Sequence, residues 1–164
     1  MAVVLVTGMS GAGKSTTLNA LRRRGYRVVD TDHGDWTEVV PGLDGGEEPQ
    51  WREDLVDVLI SEHERSGRPL VIAGTVWNQR RFHPRFDDIV LLSAPVEVLL
   101  ERVAHRDTDD FGKTAGERDR IGADTAQVEP VLRASATVEP DTREPLSAVV
   151  DRLAALAGPV PPHR

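Results

Sequence analysis

Residues 8–15 read Gly-Met-Ser-Gly-Ala-Gly-Lys-Ser, which is the spacing of a loop that can cradle phosphate groups. Glycines let such a loop turn its backbone N–H groups inward, and the start of the following helix adds partial positive charge. Lys14 supplies a point charge for the β- and γ-phosphates, and the Ser15 hydroxyl is a ligand for Mg²⁺. The residues expected to hold a nucleotide share this loop: Gly8, Ser10, Gly11, Ala12, Gly13, Lys14, Ser15 and Thr16.

Two acids follow the second apolar run of the chain, at Asp30 and Asp32. Ligands of parallel α/β sheets bind beyond the carboxyl ends of the strands, so we expect both acids to face the same crevice as the phosphate loop. Asp30 is the expected second Mg²⁺ ligand, and Asp32 is the expected base that accepts a proton from an attacking hydroxyl group. The alternative is a pair of solvated acids in a loop.

Polar and basic side chains follow the third apolar run. Gly74 permits a close backbone approach at the end of a strand, and Asn78 and Arg81 carry donors suited to a hydroxylated or anionic acceptor. Together with Asp32, they form the predicted acceptor side. An ordinary polar start of a helix explains the same residues equally well.

Arg102 and Arg106 are four residues apart and therefore share one face of a predicted helix. The polar, glycine-containing stretch at about 107–118 follows them and is typical of a short lid. Basic side chains beside a closing lid can neutralise the charge that develops on a transferring phosphoryl group. Surface arginines paired with neighbouring acids are the alternative.

Short apolar runs alternate with helical patterns along the chain, which predicts an α/β fold around a parallel sheet. The predicted strands are Val3–Thr7, Tyr26–Asp30, Pro69–Ala73, Asp88–Ser93 and Ala136–Glu139. The glycine- and proline-rich segment Pro41–Gln50 is typical of a flexible surface loop. One domain over residues 1–157 and a frayed tail over 158–164 complete this interpretation.

Composition narrows the function classes. The 164 residues carry a net charge of −7, which argues against a general nucleic-acid surface. The absence of cysteine excludes disulfides and thiolate metal sites. No apolar run approaches the ~20 residues of a membrane span, and we expect a cytoplasmic protein with access to ATP. The oligomeric state is left open by the sequence.

Four segments in this order, GMSGAGKST, VVDTD, LLSAP and VEPDTREPL, make the chain similar to the P-loop small-molecule kinases. This superfamily includes nucleoside monophosphate, shikimate, gluconate and dephospho-coenzyme A kinases; the chain also resembles a group of small ATP-binding proteins of actinobacterial type. The resemblance implies a P-loop NTPase three-layer sandwich, with a five-stranded parallel sheet of order 2-3-1-4-5 and a short lid. It also implies ATP as donor, with adenine lying between the lid helix that bears Arg102 and the loop at Asp141.

Within that superfamily, shikimate kinases use an aspartate pair after the second strand to engage Mg²⁺ and the acceptor hydroxyl group. Asp30 and Asp32 match this pattern. The third strand differs, because Gly74-Thr75 stands where shikimate kinases have three consecutive glycines.

The main functional hypothesis is therefore Mg-ATP-dependent phosphoryl transfer to a small-molecule acceptor, which could be a metabolite, a nucleoside or a nucleotide. Lys14, Asp32, Arg102 and Arg106 are its expected catalytic residues. A nucleotide-hydrolysing or nucleotide-binding switch is the second hypothesis, although the N-K-x-D motif of guanine-binding switches is absent. A kinase scaffold without catalysis is the third, and the intact Lys14, Ser15 and Asp32 argue against it.

Overall fold

The structure is a computed structural model that describes residues 2–9, 11–42, 45–105 and 115–161, with Trp77 described by its backbone only. These described residues form six strands: β1 (Val3–Thr7), β2 (Arg27–Asp30), β3 (Thr37–Pro41), β4 (Glu47–Trp51), β5 (Leu70–Ala73) and β6 (Asp88–Leu91). The same ranges contain five α-helices: α1 (Lys14–Arg23), α2 (Glu53–Ser66), α3 (Val96–His105), α4 (Ala115–Ser135) and α5 (Leu146–Ala157). A 3₁₀ segment spans Trp77–Arg85.

Within the described part of the chain, the central sheet contains four parallel strands in the order β2-β5-β1-β6. Counted along the chain without the strands of the separate hairpin, these are the second, third, first and fourth strands. Every residue of β1 and β5 is buried, as expected for central strands covered by helices on both faces. The register pairs Ala73 with both Val6 and Asp30, so the carboxyl ends of β1, β2 and β5 lie side by side.

The predicted fifth strand, Ala136–Glu139, is not a strand in the structure. Two isolated parallel bridges, Val90 to Val138 and Ser93 to Asp141, take its place beside β6. The Thr137 hydroxyl accepts the backbone N–H of Ile89 at 2.9 Å, and Pro140 has no N–H to donate. A side chain and a proline thus interrupt the regular ladder, and the main sheet of the described chain has four strands rather than five.

The segment 41–50 was expected to be a flexible loop, and this expectation is wrong. Strands β3 and β4 pair in an antiparallel hairpin, in register from Thr37 opposite Trp51 to Pro41 opposite Glu47. Gly42 and Gly46 close the turn through a 2.6 Å backbone hydrogen bond. Trp51, which is 1% exposed, anchors the hairpin in the core.

Helices cover both faces of the sheet. Val4 and Val6 of β1 pack with residues of α1, α3 and α5 on one face. Val3 and Leu5 point the other way and pack with α2, Trp51 and the 3₁₀ segment. Two cores on opposite faces of one sheet make the fold the expected three-layer sandwich. None of the helices in the described ranges is long and apolar enough to cross a membrane.

The predicted lid at about 107–118 is only partly covered by the described residues. Residues 115–118 form the first turn of α4 instead of belonging to a loop. Residues 107–114, and with them the predicted lid itself, lie outside the described residues, as does Arg106.

Candidate active site

The phosphate loop connects the end of β1 to the start of α1. Gly11 and Gly13 have φ angles of +83° and +93°, which glycine adopts without strain. The Gly13 carbonyl accepts the N–H of Thr17 at 3.0 Å, so Lys14 stands in the first helical turn. Ser15 and Thr16 follow it and are exposed at the helix start, whereas Ser10 lies outside the described residues.

Close packing holds the loop against neighbouring elements. A Cβ atom on Gly8 would lie 2.8 Å from the Leu92 carbonyl oxygen, and one on Gly11 would lie 2.5 Å from that of Leu99. Ala12 is buried, and its N–H donates to the Met9 carbonyl at 3.0 Å. The glycines are therefore needed for position as well as for backbone conformation.

Lys14 is the cation at the centre of the site. Its Nζ donates to the Thr75 hydroxyl at 3.1 Å and lies 3.8 Å from Asp32 Oδ2. Burial lowers the pKa of the Lys14 ammonium, and the Asp32 and Asp30 carboxylates oppose that shift. The lysine is thus desolvated but charge-compensated, as suits a group that binds an anion.

Thr75 was not among the predicted site residues, although it is central to the geometry. Its hydroxyl donates to the Gly8 carbonyl at 2.8 Å and lies 3.0 Å from the Thr7 hydroxyl, in addition to accepting from Lys14. The sequence held one usable signal: Thr75 comes two residues after β5, the strand that pairs with β1 in such sheets.

Asp30 and Asp32 lie at the end of β2, as predicted. The Asp30 side chain is 12% exposed, and its Oδ1 accepts the N–H of Asp32 at 3.0 Å. The Asp32 side chain is 53% exposed and faces Lys14. The structure thus brings the predicted base, Asp32, close to Lys14. The Asp30 side chain supports the turn that leads to Asp32.

Gly74 has a packing role at the end of β5. A Cβ atom there would clash with the Thr31 hydroxyl and lie 3.1 Å from the Trp51 indole nitrogen. That indole N–H donates to Thr31 Oγ1 at 2.9 Å, and Thr31 donates in turn to the Ala73 carbonyl at 2.7 Å. Gly74 therefore makes room for the hairpin anchor Trp51, and its approach to a substrate stays a prediction.

Asn78 and Arg81 also hold the hairpin and α2. The Asn78 amide accepts the N–H of Trp51 at 2.8 Å and donates to its carbonyl and to Glu53, each at 3.0 Å. Asn78 is 1% exposed. The Arg81 guanidinium pairs with the same Glu53 carboxylate at 3.0 Å. These polar groups therefore make internal contacts with the hairpin and α2, and their role as acceptor ligands stays a prediction.

Arg102 joins the phosphate loop to the segment that follows the bridges of the sheet. Its guanidinium donates to the Gly11 carbonyl at 3.1 Å, and to the hydroxyl and carbonyl of Thr142, each at 2.7 Å. The neighbouring Asp141 pairs with Arg143 at 2.6 Å, and these hydrogen bonds lower the pKa of Asp141 to about 2. Arg102 and the 141–143 segment are thus adjacent, as the resemblance implied.

A cavity of about 440 Å³ opens beside Thr75. The hairpin, the 3₁₀ segment, the ends of the central strands and α4 enclose it. Its described lining consists of Thr7, Glu48, Pro49, Thr75, Val76, Gln79, Arg80, His83, Ile89, Val128, Val131, Leu132, Ala134 and Ser135. Thr75 therefore contacts Lys14 and also lines this cavity. One side chain thus connects the lysine of the phosphate loop to a cavity that could hold a second molecule.

Within the described ranges, no group of three or more His, Asp or Glu side chains could hold a metal ion. Mg²⁺ bound with nucleotide phosphates needs only one or two protein oxygens, because phosphates and water complete its shell. The Ser15 hydroxyl and the Asp30 and Asp32 carboxylates are oxygen donors of the required type. The residues present thus fit Mg²⁺ as a companion of a bound nucleotide.

The three-layer sandwich, with a glycine-rich loop ahead of α1, is the fold of the P-loop small-molecule kinases. A family model described as an AAA domain matches residues 4–122, and the chain belongs to that family.

Comparisons with solved structures agree on the fold. Shikimate kinase from Bacteroides thetaiotaomicron aligns with a TM-score of 0.62 and 19% identity, over 94% of this chain and 97% of that one. Shikimate kinase from Acinetobacter baumannii in complex with shikimate aligns with a TM-score of 0.62 and 20% identity, over 95% and 92%. A sugar kinase from Janibacter aligns with a TM-score of 0.56 and 20% identity, over 97% and 99%.

Sequence relatives match a shorter stretch. HPr kinase/phosphorylase proteins of Xanthomonas campestris and Stenotrophomonas maltophilia are 38% identical over 55 residues. That stretch is 34% of this chain and 17% of those proteins, so the match spans about a sixth of the relatives' length.

Proposed function

We propose that this protein is a kinase that transfers the γ-phosphoryl group of ATP to a hydroxyl group of a small molecule. One observation carries the proposal: Lys14 contacts both Thr75 and Asp32, and Thr75 also lines the adjoining cavity. Phosphoryl transfer requires a cation that binds phosphate, a carboxylate that accepts a proton, and space for a second molecule. The structural neighbours named as shikimate and sugar kinases support the same activity class.

The nucleotide would bind along the phosphate loop. The backbone N–H groups of residues 8–16 and the Lys14 ammonium would hold its phosphates. Arg102 and Asp141 would flank the adenine, since Arg102 already contacts the Thr142 side chain and backbone. Arg106 stays a predicted contact of the transferred phosphoryl group.

The transfer itself is a single displacement. The acceptor oxygen forms a bond to the γ-phosphorus while the bond to the β–γ bridging oxygen breaks, and ADP leaves with that electron pair. The acceptor proton passes to the Asp32 carboxylate, which is exposed enough to release it to solvent. Lys14 balances the charge that develops on the phosphoryl oxygens.

Mg²⁺, held by Ser15 and Asp30, would neutralise charge on the phosphates when bound with the nucleotide. The protein's own contribution is orientation. Thr75 fixes Lys14 from β5, and the turn bond between Asp30 and Asp32 fixes the base from β2. Both supports come from strands that pair with each other, so the geometry of the sheet sets the distance between cation and base.

A transfer assay with radiolabelled ATP and Mg²⁺ over a panel of hydroxylated small molecules tests the proposal. We expect Lys14-dependent label transfer to an acceptor, with Lys14→Ala losing activity at least about 100-fold. Arg24→Ala, which removes a surface arginine paired with Asp151, is the matched control and should keep the wild-type rate. Wild-type transfer by Lys14→Ala would refute the role of the loop. Steady ATP hydrolysis that no acceptor changes would instead favour a hydrolytic switch.

A further inference from the structure

We propose that the acceptor is an uncharged ring alcohol, such as a nucleoside, and not a carboxylated or phosphorylated metabolite. This inference rests on the proposed function, because it names the class of molecule that would occupy the cavity beside Thr75. Two features of the lining carry it, an apolar wall and cancelling charges, and so does a third feature nearby: the other arginines of the 3₁₀ segment are paired with α2.

The apolar wall comes mainly from α4. Val128, Val131 and Leu132 line the cavity from that helix, and Val76 and Ile89 line it from the sheet side. Val131 is 67% exposed, which makes it one of the most exposed large apolar side chains of the described chain. A ring or hydrocarbon face laid against this wall would remove it from water, and such burial is worth about 25 cal/mol per Å².

The charges of the lining cancel. Glu48 on the hairpin and Arg80 on the 3₁₀ segment are of opposite sign, and they are the acid and the arginine among the described lining residues. Burial and the Arg80 charge both lower the pKa of His83, so this ring is neutral near pH 7. The described lining therefore has no excess of positive charge with which to concentrate an anion.

The other arginines of the 3₁₀ segment are committed to α2. Arg81 pairs with Glu53 at 3.0 Å. Arg85 pairs with Asp57 and with Glu64, and also donates to the Ser61 hydroxyl at 2.9 Å. Neither arginine lines the cavity. A carboxylate or phosphate on the acceptor would therefore meet one arginine, Arg80, and one acid, Glu48, among the described lining residues. Its desolvation carries a cost that a hydroxyl group does not incur.

The reacting hydroxyl group of the acceptor would lie at the polar end of the cavity. Thr7 and Thr75 line it there, and Thr75 contacts Lys14. An uncharged alcohol can therefore place its ring against α4 and its hydroxyl group beside Thr75, whose own hydroxyl contacts Lys14. A volume of about 440 Å³ is within the range of small-molecule pockets, which is about 300–1,000 Å³.

Matched acceptor pairs that differ by one anionic group test the inference. Suitable pairs are a nucleoside with its 3′-monophosphate, which keeps the 5′-hydroxyl group free, and shikimate methyl ester with shikimate. We expect kcat/KM for the uncharged member to exceed that of its partner by at least about tenfold. Equal or better use of the charged members would overturn the inference and leave the proposed kinase activity standing.

Calorimetric binding of the same pairs separates the inference from the kinase activity. Binding of the uncharged members without any transfer would support the cavity assignment and count against the kinase proposal. Binding of neither member would overturn the inference. Val131→Asp should weaken binding of the uncharged acceptor about tenfold. Val58→Asp on α2, a valine that is 53% exposed and does not line the cavity, is the matched control and should bind as the wild type does.

Discussion

The Lys14 ammonium donates to the Thr75 hydroxyl over 3.1 Å, so a residue two positions after β5 holds the lysine of the loop that follows β1. The same hydroxyl donates to the Gly8 carbonyl at 2.8 Å. One side chain thus links the first and seventh residues of the phosphate motif. The link crosses a pair of neighbouring strands, which makes it a property of the folded sheet and not of the loop alone.

Thr75→Val should therefore impair catalysis while keeping the fold. The valine fills the same volume but removes the hydroxyl, and Lys14 loses its nearest partner. We expect kcat to fall about 10- to 100-fold in the transfer assay, which is the range for a misplaced catalytic group. Thr75→Ser keeps the hydroxyl and should recover most of the rate. If both variants lose activity equally, Thr75 matters for packing and not for positioning Lys14.

Gly74→Ala should destabilise the protein. The added methyl group would meet the Thr31 hydroxyl and the Trp51 ring, and both belong to buried contacts. Forcing a methyl group into such a site costs about 1–3 kcal/mol of unfolding free energy, measurable by urea titration.

Gly122→Ala is the control for that measurement. Gly122 lies within α4, and a Cβ atom there would meet nothing within 4 Å. Alanine is the better helix former, so this variant should gain about 0.5–1 kcal/mol. Unchanged stability of Gly74→Ala beside a stabilised Gly122→Ala would contradict the packing role of Gly74.

The phosphate motif could be predicted from sequence because its spacing is local: the loop, the helix start and Lys14 all lie within one short segment. The shared crevice of Lys14 and Asp32 followed from parallel-strand topology, which brings carboxyl ends together. The hairpin could not be predicted in this way. Its strand Glu47–Trp51 reads Glu-Glu-Pro-Gln-Trp, which lacks the apolar alternation of a half-buried strand.

Long-range packing explains the contacts that the sequence did not predict. Gly74, Asn78 and Arg81 follow a strand end, where substrate contacts are common. Their actual partners are Trp51 and Glu53, whose positions depend on the hairpin. Because the hairpin was not predicted, no local sequence pattern could show that these polar groups make structural contacts. The position of Thr75 could in principle be predicted, since its place beside β1 follows from the sheet order.

Acidification should destabilise the fold through His63. This side chain is buried at the other end of the molecule from the phosphate loop, and Arg27 Nη1 lies 2.6 Å from its Nε2. Burial and the Arg27 charge lower the pKa of His63 from its ordinary value of 6.5. The unfolded chain therefore takes up the proton first, so stability is complete above about pH 6.5 and is lost as the pH falls below it.

Thermal unfolding between pH 8 and pH 5 measures this effect. The pKa of His83 is lowered in the same direction, so His63→Gln should reduce the fall in Tm without abolishing it, and a double variant with His83→Gln should reduce it further. A wild-type profile in the His63→Gln variant would rule out this histidine as the source.

Arg102→Ala should weaken ATP binding and leave acceptor binding unchanged. The guanidinium bridges the Gly11 carbonyl and Thr142, so its loss removes a support of the phosphate loop and the proposed adenine contact together. We expect the KM for ATP to rise about tenfold, while the acceptor Kd measured by calorimetry stays within about twofold. Arg102→Lys keeps the charge but lacks the planar fork that reaches both partners, and should behave like the alanine variant. An unchanged KM for ATP, or a weakened acceptor Kd instead, would show that Arg102 does not act on the nucleotide.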